Sequence, residues 1–401
     1  MTDRGFDLGA RLRERERAGL RRDLTPAESV AERTRFAPDP HSGAPEYGEQ
    51  SLVFASNNYL GLATDRRVQR AAEVAARAVG ASAGASRLVT GDTGLHRALE
   101  RDLADCKRTE RALLFSSGYA ANVGTIGALA PDIVFSDELN HASIVDGCRI
   151  GGEETVVYDH ANAADLRERM ERRAADSDAV DEDWLVVTDS VFSMDGDIAP
   201  LEALCDAAAE FGAWLMVDEA HATGLFGDGG GVVQQEGLSD RVDVQLGTLS
   251  KALASQGGYV AGDEDLVEYL LNAARSFVFS TGLAPPAVGA ARESLRIARE
   301  TERPDRLWET VEALCAGLEA VGYEVLGETH VLPVLVGDRA DALELGERLE
   351  DEGIVAPAIR PPTVPDGTSR IRVAPTASHT EADVDCCLAA FESAGQEVGL
   401  L

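Results

Sequence analysis

An aspartate and a lysine in the middle of the chain each follow a short apolar segment. Asp218 comes after Trp-Leu-Met-Val, and Lys251 comes after the segment Val-Asp-Val-Gln-Leu-Gly-Thr-Leu-Ser. A buried carboxylate needs a charged partner, and a protonated pyridine nitrogen would be one. A lysine amine can form a Schiff base when burial or a nearby charge lowers its pKa. Alone, Asp218 would more often cap a turn and Lys251 would be a surface lysine. The two residues together, each after a strand-like segment, are a much more specific signal than either alone.

Three neighbouring features strengthen this signal. His221 follows Asp218 by three residues and could reach a phenolic oxygen of the same ring. Small residues over 116–122 join an apolar segment to a helix, and the free N–H groups at a helix start attract phosphate. The hydroxyls of Thr248 and Thr281 could contact that phosphate. A plain turn between strand and helix would have similar residues, so the segment is a weak signal by itself.

His141 and Ser193 also follow strand-like segments. A histidine in the context Asn-His-Ala-Ser is more often structural, but beside the other residues His141 could stack on the ring or act in acid–base catalysis. Ser193 lies in the segment Val-Phe-Ser-Met-Asp-Gly-Asp. A polar turn in which Gly196 supplies a positive φ would explain that segment equally well.

Strand and helix patterns alternate from about residue 51. Short apolar segments recur, and stretches with helical spacing separate most of them. The apolar segments are ALLFS, DIVFSD, ETVVYD, WLVVTDS, AWLMVDE and VDVQLGTLS. This alternation predicts an α/β fold with a mostly parallel sheet covered by helices. Such sheets bind ligands at the carboxyl ends of their strands, where the polar residues described above would converge.

The pattern divides the chain into three parts. Residues 1–50 contain an amphipathic helix that is predicted over 7–34 and frays toward its end, and a connector rich in Pro and Gly over 36–50. Residues 51–290 form the predicted large domain. In residues 291–401 the regular alternation of strand and helix patterns ends. Long helices are predicted over 287–320, and strand-like segments followed by helices come after them. This last part predicts a smaller α+β domain.

The chain is strongly acidic. Asp and Glu total 70 against 37 Lys and Arg, which gives a net charge of −33, and Lys107 and Lys251 are its two lysines. Acidic blocks such as residues 176–183 are spread along the chain. An acidic face for a partner is one interpretation. A surface suited to concentrated salt is the other, and the near absence of lysine favours it, because salt screens the self-repulsion. Nucleic acid is disfavoured as a partner.

Several other classes of protein are also disfavoured. The six cysteines include no CxxC pair, so the sequence predicts neither a zinc site nor a redox motif. Scattered reduced cysteines fit a cytoplasmic enzyme. The N-terminus has no apolar signal core, and no segment approaches the roughly 20 apolar residues of a membrane span. We therefore expect a cytoplasmic enzyme with no metal and no membrane partner.

Several segments, in their order along the chain, resemble those of the α-oxoamine synthases, which are fold-type I enzymes dependent on pyridoxal 5′-phosphate (PLP). They are SNNYLGL, GASRLVTGD, SSGYAAN, NHASIVDG, VFSMDGD, VDEAHATG, GTLSKA and RPPTVPDGTSRIR. The resemblance covers nearly the whole chain. It implies a decarboxylative condensation of a small amino acid with an acyl thioester. It also implies a homodimer with active sites between the subunits.

The resemblance implies a role for each site residue. Lys251 would hold PLP, Asp218 would pair with the pyridine nitrogen, and His221 with the phenolic oxygen. His141 would stack on the ring. The other implied cofactor contacts are Gly118, Tyr119, Ser193 and Thr248, and the implied substrate contacts are Arg21, Asn57, His141, Thr363 and Arg372. The family often has Glu where Asp189 stands, so a contact made by this shorter side chain would be weaker or bridged by water.

The resemblance leaves the substrates open. The segment Arg-Pro-Pro-Thr-Val-Pro favours the branch that condenses L-alanine with pimeloyl-CoA or a pimeloyl carrier protein in biotin synthesis. Glycine with acetyl-CoA, as in glycine C-acetyltransferase, is the alternative. The 5-aminolevulinate and sphingoid-base synthases are more distant relatives. A plain aminotransferase and a non-catalytic protein of the same fold are also conceivable, although the presence of Lys251 disfavours the second.

Overall fold

The computed structural model describes residues 5–37, 43–152, 154–176 and 181–401. Its strands are β1 (Arg33–Arg35), β2 (Gln50–Val53), β3 (Arg111–Phe115), β4 (Ile133–Asp137), β5 (Glu154–Tyr158), β6 (Trp184–Asp189), β7 (Trp214–Asp218), β8 (Val244–Thr248), β9 (Gly258–Gly262), β10 (Glu324–Val325), β11 (Leu332–Gly337), β12 (Ile354–Val355), β13 (Ala358–Ile359) and β14 (Ser369–Val373). Its α-helices are α1 (Leu8–Arg17), α2 (Arg66–Ala78), α3 (Gly94–Lys107), α4 (Gly118–Leu129), α5 (Ala142–Gly151), α6 (Ala163–Ala174), α7 (Leu201–Phe211), α8 (Val232–Gln235), α9 (Glu264–Ala273), α10 (Arg275–Val278), α11 (Pro285–Glu300), α12 (Arg303–Val321), α13 (Arg339–Asp351) and α14 (Glu381–Val398). Parts of the predicted connector over 36–50 and of the acidic block 176–183 lie outside the described residues.

The largest sheet has seven strands in the order β3-β9-β8-β7-β6-β4-β5. Neighbouring strands pair in parallel except at β9, which runs antiparallel to β3 and β8. β4, β8 and β9 are buried along their whole length. Burial of entire strands is typical of a parallel sheet covered on both faces. The predicted α/β fold is therefore confirmed.

Two apolar clusters lie on opposite faces of this sheet. In β4, Ile133 and Phe135 belong to one cluster and Val134 to the other; in β7, Leu215 belongs to the first and Met216 to the second. This alternation follows the two-residue period of a strand. Helices α6 and α7 contribute side chains to the first cluster, and α4, α5 and α9 to the second. The two layers of helices hold the carboxyl ends of the strands in fixed positions.

The last part of the chain forms a four-stranded antiparallel sheet in the order β10-β11-β14-β13. Helices α12, α13 and α14 pack against it through the first apolar cluster. A three-stranded sheet joins β2 to β1 and to β12, far along the chain. The predicted boundary at 50/51 falls inside β2, and the boundary at 290/291 falls inside α11. The division into three domains stays a prediction.

The helix predicted over residues 7–34 is wrong beyond Arg17. Asp7 caps the start of α1, and the helix ends before Gly19, which has a φ of +64°. That left-handed conformation terminates helices, and Pro26 has no N–H group with which to continue one. The chain then extends into β1, which pairs with β2. Across the described residues, no helix is long and apolar enough to cross a membrane.

Candidate active site

The carboxyl ends of β6, β7 and β8 and the N-terminus of α4 surround a cavity of about 190 Å³. The predicted site residues that line it are Gly118, Tyr119, His141, Ser193, Asp218, His221, Thr248 and Lys251. Ser117, Asn122, Ser143, Asp189, Ala220 and Ser250 complete the lining. The structure thus gathers side chains from well-separated segments at the edge of the sheet where ligands are expected.

A larger groove, of about 960 Å³, lies between α2, α3 and α11. Its charged side chains are arginines and acids, and Arg292 and Arg299 form ion pairs with Asp102 and Asp105. No lysine or histidine lines it. The smaller cavity is therefore the candidate active site.

Lys251 lies in the turn after β8 and is partly exposed, lining the cavity. Its Nζ makes no hydrogen bond or ion pair with any described residue. Burial in the protein lowers the pKa of Lys251 to about 8, although the carboxylates of Asp218 and Asp189 oppose that change. A lysine with this pKa is partly neutral near pH 7, and the neutral amine is the form that attacks carbonyl groups.

Asp218 is buried at the end of β7. Its Oδ1 accepts a hydrogen bond from the Ala220 N–H at 2.9 Å, and its Oδ2 accepts one from Asn122 Nδ2 at 2.7 Å. Asn122 also donates to Ser143 Oγ at 2.9 Å. Within the described part of the chain, no cationic nitrogen lies within 4.0 Å of the Asp218 carboxylate. This buried negative charge therefore has room for a cationic ligand atom.

His221 is buried one turn after Asp218. Its Nδ1 lies 2.7 Å from the hydroxyl of Tyr59. Burial holds the pKa of His221 well below its usual range, and the positive charges of Lys251 and Arg372 act in the same direction. The imidazole is therefore neutral, and Nε2 is the ring nitrogen left for a ligand.

His141 is the N-cap residue of α5, in the loop after β4. Its backbone N–H donates to Asp189 Oδ2 at 3.0 Å, and its Nδ1 lies 2.6 Å from Ser143 Oγ. Burial lowers the pKa of His141. Burial and the nearby Asp218 charge raise the pKa of Asp189 well above its usual range. The Asp189 carboxyl group, although shorter than Glu, reaches the His141 loop without a bridging water.

The start of α4 offers a site for an anion. Ser117 caps the helix, with its Oγ accepting from the Ala120 N–H at 3.0 Å. The first N–H groups of a helix, here those of Gly118 and Tyr119, have no acceptor within the helix. A Cβ placed on Gly118 would lie 3.4 Å from the Cβ of Thr248, so the Thr248 hydroxyl group adjoins this turn. The positive end of the helix dipole favours phosphate here.

Arg372 and Asn57 lie beside the cavity. Arg372 Nε donates to the Ser193 carbonyl at 2.6 Å, and its Nη2 donates to Asn57 Oδ1 at 3.1 Å. The same Nη2 lies 3.3 Å from the Tyr59 hydroxyl. A chain of hydrogen bonds therefore connects Arg372 with His221. A guanidinium in this position suits a carboxylate ligand.

Like Asn57 and Arg372, three other predicted site residues do not line the cavity of their own chain. Thr281 is exposed and forms an isolated bridge with Ser86. Arg21 is exposed and pairs with Glu16 at 3.2 Å, and Thr363 is exposed on the loop after β13. Arg360 of that loop donates to the Gly19 carbonyl at 2.7 Å, which brings the Arg21 segment next to the Thr363 loop. The roles of all three stay predictions.

A buried ion pair lies behind the Asp218 turn. Lys107 and Glu219 are both fully buried, and Lys107 Nζ lies 2.5 Å from Glu219 Oε2. Lys107 also donates to the Gly230 carbonyl. Glu219 Oε1 accepts from the Val233 N–H at 3.1 Å. The pair thus ties the end of α3 to the residue that follows Asp218 and to the start of α8.

Sequence reasoning missed the roles of Tyr59 and Asn122. Both lie in segments that carry the family resemblance, but neither follows a strand. Asn122 occupies the second turn of α4, where its amide group faces Asp218 from the neighbouring element. An amide side chain in a mostly apolar helix was the available signal for it.

The residues of the cavity fit PLP. The Asp218 carboxylate is buried without a cation, which is costly, and a protonated pyridine nitrogen would supply the missing charge. Lys251 has a free amine for the aldehyde, and the α4 N-terminus suits the phosphate. Asn122 Oδ1 is buried without a partner in the described structure. Among the described residues, no cluster of side chains suited to a metal ion is present.

Comparison with known proteins identifies the family. A profile of aminotransferase class I and II matches residues 49–391. The chain belongs to this family. An 8-amino-7-oxononanoate synthase of Lysinibacillus sphaericus is 45% identical over 359 residues, covering 88% of this chain and 91% of that protein. Another, from Anaeromyxobacter dehalogenans (strain 2CP-1 / ATCC BAA-258), is 47% identical over 391 residues, and the match covers 96% of this chain and 94% of that protein.

A solved structure of the same fold contains the cofactor. Serine palmitoyltransferase from S. paucimobilis, solved with a bound PLP–myriocin aldimine, superposes with a TM-score of 0.88 at 32% identity. The match covers 98% of each chain. The predicted resemblance, the fold-type I architecture and the PLP cofactor are confirmed. This member of the aminotransferase class I and II family is a PLP-dependent acyltransferase.

Proposed function

We propose that the enzyme condenses L-alanine with a pimeloyl thioester, carried by CoA or by a carrier protein, to give 8-amino-7-oxononanoate for biotin synthesis. The names of its relatives at 45–47% identity support this substrate pair. The new carbon–carbon bond joins the α-carbon of alanine to the acyl carbon. The thioester releases its thiol, and the amino acid releases carbon dioxide. We propose the cytoplasm as the location.

One observation carries the proposal: a free amine and an unpaired buried carboxylate face the same cavity. Lys251 would bind the cofactor aldehyde covalently, and Asp218 would keep the ring nitrogen protonated. When bound, PLP supplies an electron sink for the electron pair left on the α-carbon. The sink works better when the ring nitrogen is protonated, which is the contribution of Asp218.

The other side chains would orient the substrates and move protons. Arg372 and Asn57 would bind the alanine carboxylate and direct the α-hydrogen toward Lys251. The neutral amine of Lys251 would accept that proton. His141 would stack on the ring, and His221 would contact the phenolic oxygen through its Nε2 side. Contacts made before the reaction keep each of these groups in position, which lowers the entropic cost of the transition state.

Both Arg21 and Thr281 are exposed and lie outside the cavity of their own chain. Their positions support a homodimer in which exposed residues of one subunit complete the site of the other. Thr281 would add a hydroxyl group to the phosphate site. Arg21 and Thr363, on neighbouring segments, would contact the acyl substrate.

Thiol release with matched substrate pairs tests the proposal. Purified PLP-loaded enzyme in high salt would receive L-alanine with pimeloyl-CoA, glycine with acetyl-CoA, or L-serine with palmitoyl-CoA. We expect release with the first pair, and carbon dioxide in equal amount. Release with glycine and acetyl-CoA alone would contradict the biotin proposal and assign the enzyme to glycine C-acetyltransferase chemistry. Release with the serine pair alone would assign it to sphingoid-base chemistry.

A further inference from the structure

Two carboxyl groups lie side by side on one face of the seven-stranded sheet. Asp189 ends β6, Asp218 ends β7, and the two residues are partners in the parallel register of these strands. Val187 and Met216, two residues earlier on each strand, belong to the second apolar cluster, so both carboxyl groups lie on that face. Neighbouring strands are about 4.8 Å apart. The two buried side chains are therefore close neighbours.

The surroundings of this pair do not neutralise two negative charges. Neither Asp189 nor Asp218 forms an ion pair with a side chain in the part of the chain that the structure describes. Two carboxyl groups that share a buried site without a cation cannot both ionise readily, because each charge opposes the other. One of the two groups is therefore expected to hold a proton.

The hydrogen bonds indicate which group holds it. Asp218 accepts two, from the Ala220 N–H at 2.9 Å and from Asn122 Nδ2 at 2.7 Å. Asp189 accepts one, from the His141 N–H to its Oδ2 at 3.0 Å. N–H donors stabilise the ionised form of a carboxyl group, so Asp218 is the better anion of the two. The proton belongs on Asp189.

The other ionisable groups around Asp189 agree with this assignment. Burial raises the pKa of Asp189 well above its usual range, and the negative charges of Asp218 and Asp137 act in the same direction. Lys251 and the His141 N–H oppose this change but do not outweigh it. With Asp189 neutral, Asp218 is the carboxylate that remains beside the Lys251 amine.

The proton on Asp189 can serve a ligand. A protonated carboxyl group has one O–H donor. Asp189 Oδ2 is occupied by the His141 N–H, whereas Oδ1 forms no hydrogen bond with any residue that the structure describes. Asp189 lines the cavity together with Asp218 and Lys251. An O–H group at Oδ1 would therefore find its acceptor on the molecule that fills the cavity.

We infer that Asp189 and Asp218 form a carboxyl pair that holds one proton, with the proton on Asp189, which makes Asp189 a neutral hydrogen-bond donor in the active site. Its acceptor is an anionic oxygen, either the phenolic oxygen of PLP or the carboxylate of the amino acid, and the second choice rests on the proposed function. The two aspartates thus have opposite roles, one as the anion and the other as the acid.

Unfolding of the PLP-free protein tests the protonation of Asp189. Because burial raises its pKa in the folded protein, ionisation of the unfolded chain above about pH 4 favours unfolding. Asp189→Asn keeps an acceptor and a donor but cannot ionise. We expect this variant to unfold at a higher denaturant concentration than the wild type at neutral pH, with a gap that widens as the pH rises. Lower stability of Asp189→Asn at neutral pH would overturn the proton assignment.

Asp137→Asn is the matched control for this substitution. Asp137 ends the neighbouring strand β4, but its carboxylate accepts from the Leu139 and Ala161 N–H groups and pairs with His160. The amide would lose part of these contacts, so we expect Asp137→Asn to lower stability. Infrared difference spectra between the wild type and Asp189→Asn should also contain the carbonyl band of a protonated carboxyl group at neutral pH. Absence of that band would overturn the assignment.

A double-mutant cycle tests the pairing of the two aspartates. If the Asp218 charge keeps Asp189 protonated, Asp189→Asn should stabilise the protein less in an Asp218→Asn background than in the wild type. An equal effect in both backgrounds would overturn the pairing. The cycle separates this pairing from burial alone, because burial of Asp189 is the same in both backgrounds.

Titration with PLP at increasing pH tests the donor role. As Asp189 ionises in the wild type, the anionic ligand loses a donor and gains a negative neighbour, whereas Asp189→Asn keeps its N–H donor. The dissociation constant of the wild type, divided by that of Asp189→Asn, should therefore rise several-fold with pH. A rise for PLP alone assigns the phenolic oxygen as the acceptor, and a rise only for L-alanine binding to the loaded enzyme assigns the carboxylate.

Constant ratios for both ligands would overturn the donor role of Asp189. Failure of the wild type to release thiol would instead contradict the proposed function. Unfolding, infrared spectra and PLP binding require no acyl substrate, so the two failures are distinguishable.

Discussion

At the scale of single residues, the two lysines of the chain show how surroundings decide protonation. Burial lowers the pKa of Lys251 to about 8, because no carboxylate lies close enough to compensate fully. Burial also disfavours the charged form of Lys107, but the adjacent Glu219 carboxylate outweighs it and raises the pKa of Lys107. Lys251 is therefore suited to covalent chemistry, whereas Lys107 is a permanent cation that holds a turn.

Removal of the Lys107 charge is expected to be costly. Lys107→Met leaves Glu219 as a buried, unpaired carboxylate, so we predict a loss of about 3–5 kcal/mol in the free energy of unfolding. The double variant Lys107→Met, Glu219→Gln removes both charges and should recover most of that loss. Denaturant unfolding of the three proteins in the same high salt measures both effects. Equal stability of the single and double variants would contradict this account.

At the scale of elements, two loops that carry site residues are joined by a histidine. His160 Nδ1 lies 2.9 Å from Asp137 at the end of β4, and His160 Nε2 lies 2.7 Å from Asp197. The first contact supports the loop that leads to His141, and the second supports the loop that contains Ser193. Burial lowers the pKa of His160, but its hydrogen bonds to the two carboxylates outweigh that effect and raise it to about 10.

The stabilisation from His160 should depend on pH. Because the folded-state pKa is raised above the usual 6.5, the contribution is complete below about pH 6.5 and is lost as the pH rises through 10. We predict that His160→Gln lowers the free energy of unfolding by about 2 kcal/mol at pH 6. The gap from wild type should narrow steadily toward pH 10. A gap that stays constant over this range would show that His160 is not charged in the folded protein.

A second contact between elements shapes the proposed phosphate site. A Cβ on Gly258 of β9 would lie 2.5 Å from the Ser117 carbonyl oxygen and 2.6 Å from the Gly118 nitrogen. Gly258→Ala would therefore displace the first turn of α4, and we predict that PLP affinity falls about tenfold or more. Gly127→Ala is the control, because Gly127 lies in α4 and its new methyl group would have no neighbouring atom within 4 Å. Equilibrium titration with PLP would compare them, and equal affinities would be evidence against this phosphate site.

The sequence predicts features that are local along the chain. Strands β3 to β8 were predictable from short apolar segments, and Asp218, His221 and Lys251 from their positions next to such segments. Contacts between distant segments were not predictable. Tyr59 and His221 are 162 residues apart, and Lys107 and Glu219 are 112 apart. The pairing of β2 with β12 likewise depends on how the whole chain folds.

At the scale of the whole molecule, the outer surface has no lysine. Lys107 is fully buried and Lys251 lines the cavity, so the exposed cations are arginines, which are outnumbered by acids in a chain of net charge −33. Such a charge repels itself and also repels a polyanionic thioester such as an acyl-CoA. Salt screens both repulsions, since the Debye length falls to about 3 Å at 1 M.

We therefore predict that the enzyme needs molar salt. Thermal unfolding should occur at higher temperature as KCl is raised from dilute buffer to molar concentration, and the KM for acyl-CoA should fall over the same range. A neutral osmolyte at equal osmolality is the control, because it does not screen charge. Full activity and an unchanged melting temperature in dilute buffer would contradict the prediction.

The central claim is that PLP binds at Lys251, and the small number of lysines makes this directly measurable. Borohydride reduction of the PLP-loaded protein, followed by peptide mass spectrometry, would locate the attached phosphopyridoxyl group. We predict that it is on Lys251, and that Lys251→Arg carries none. A label on Lys107, or an unlabelled Lys251 in protein that retains the cofactor, would contradict the account.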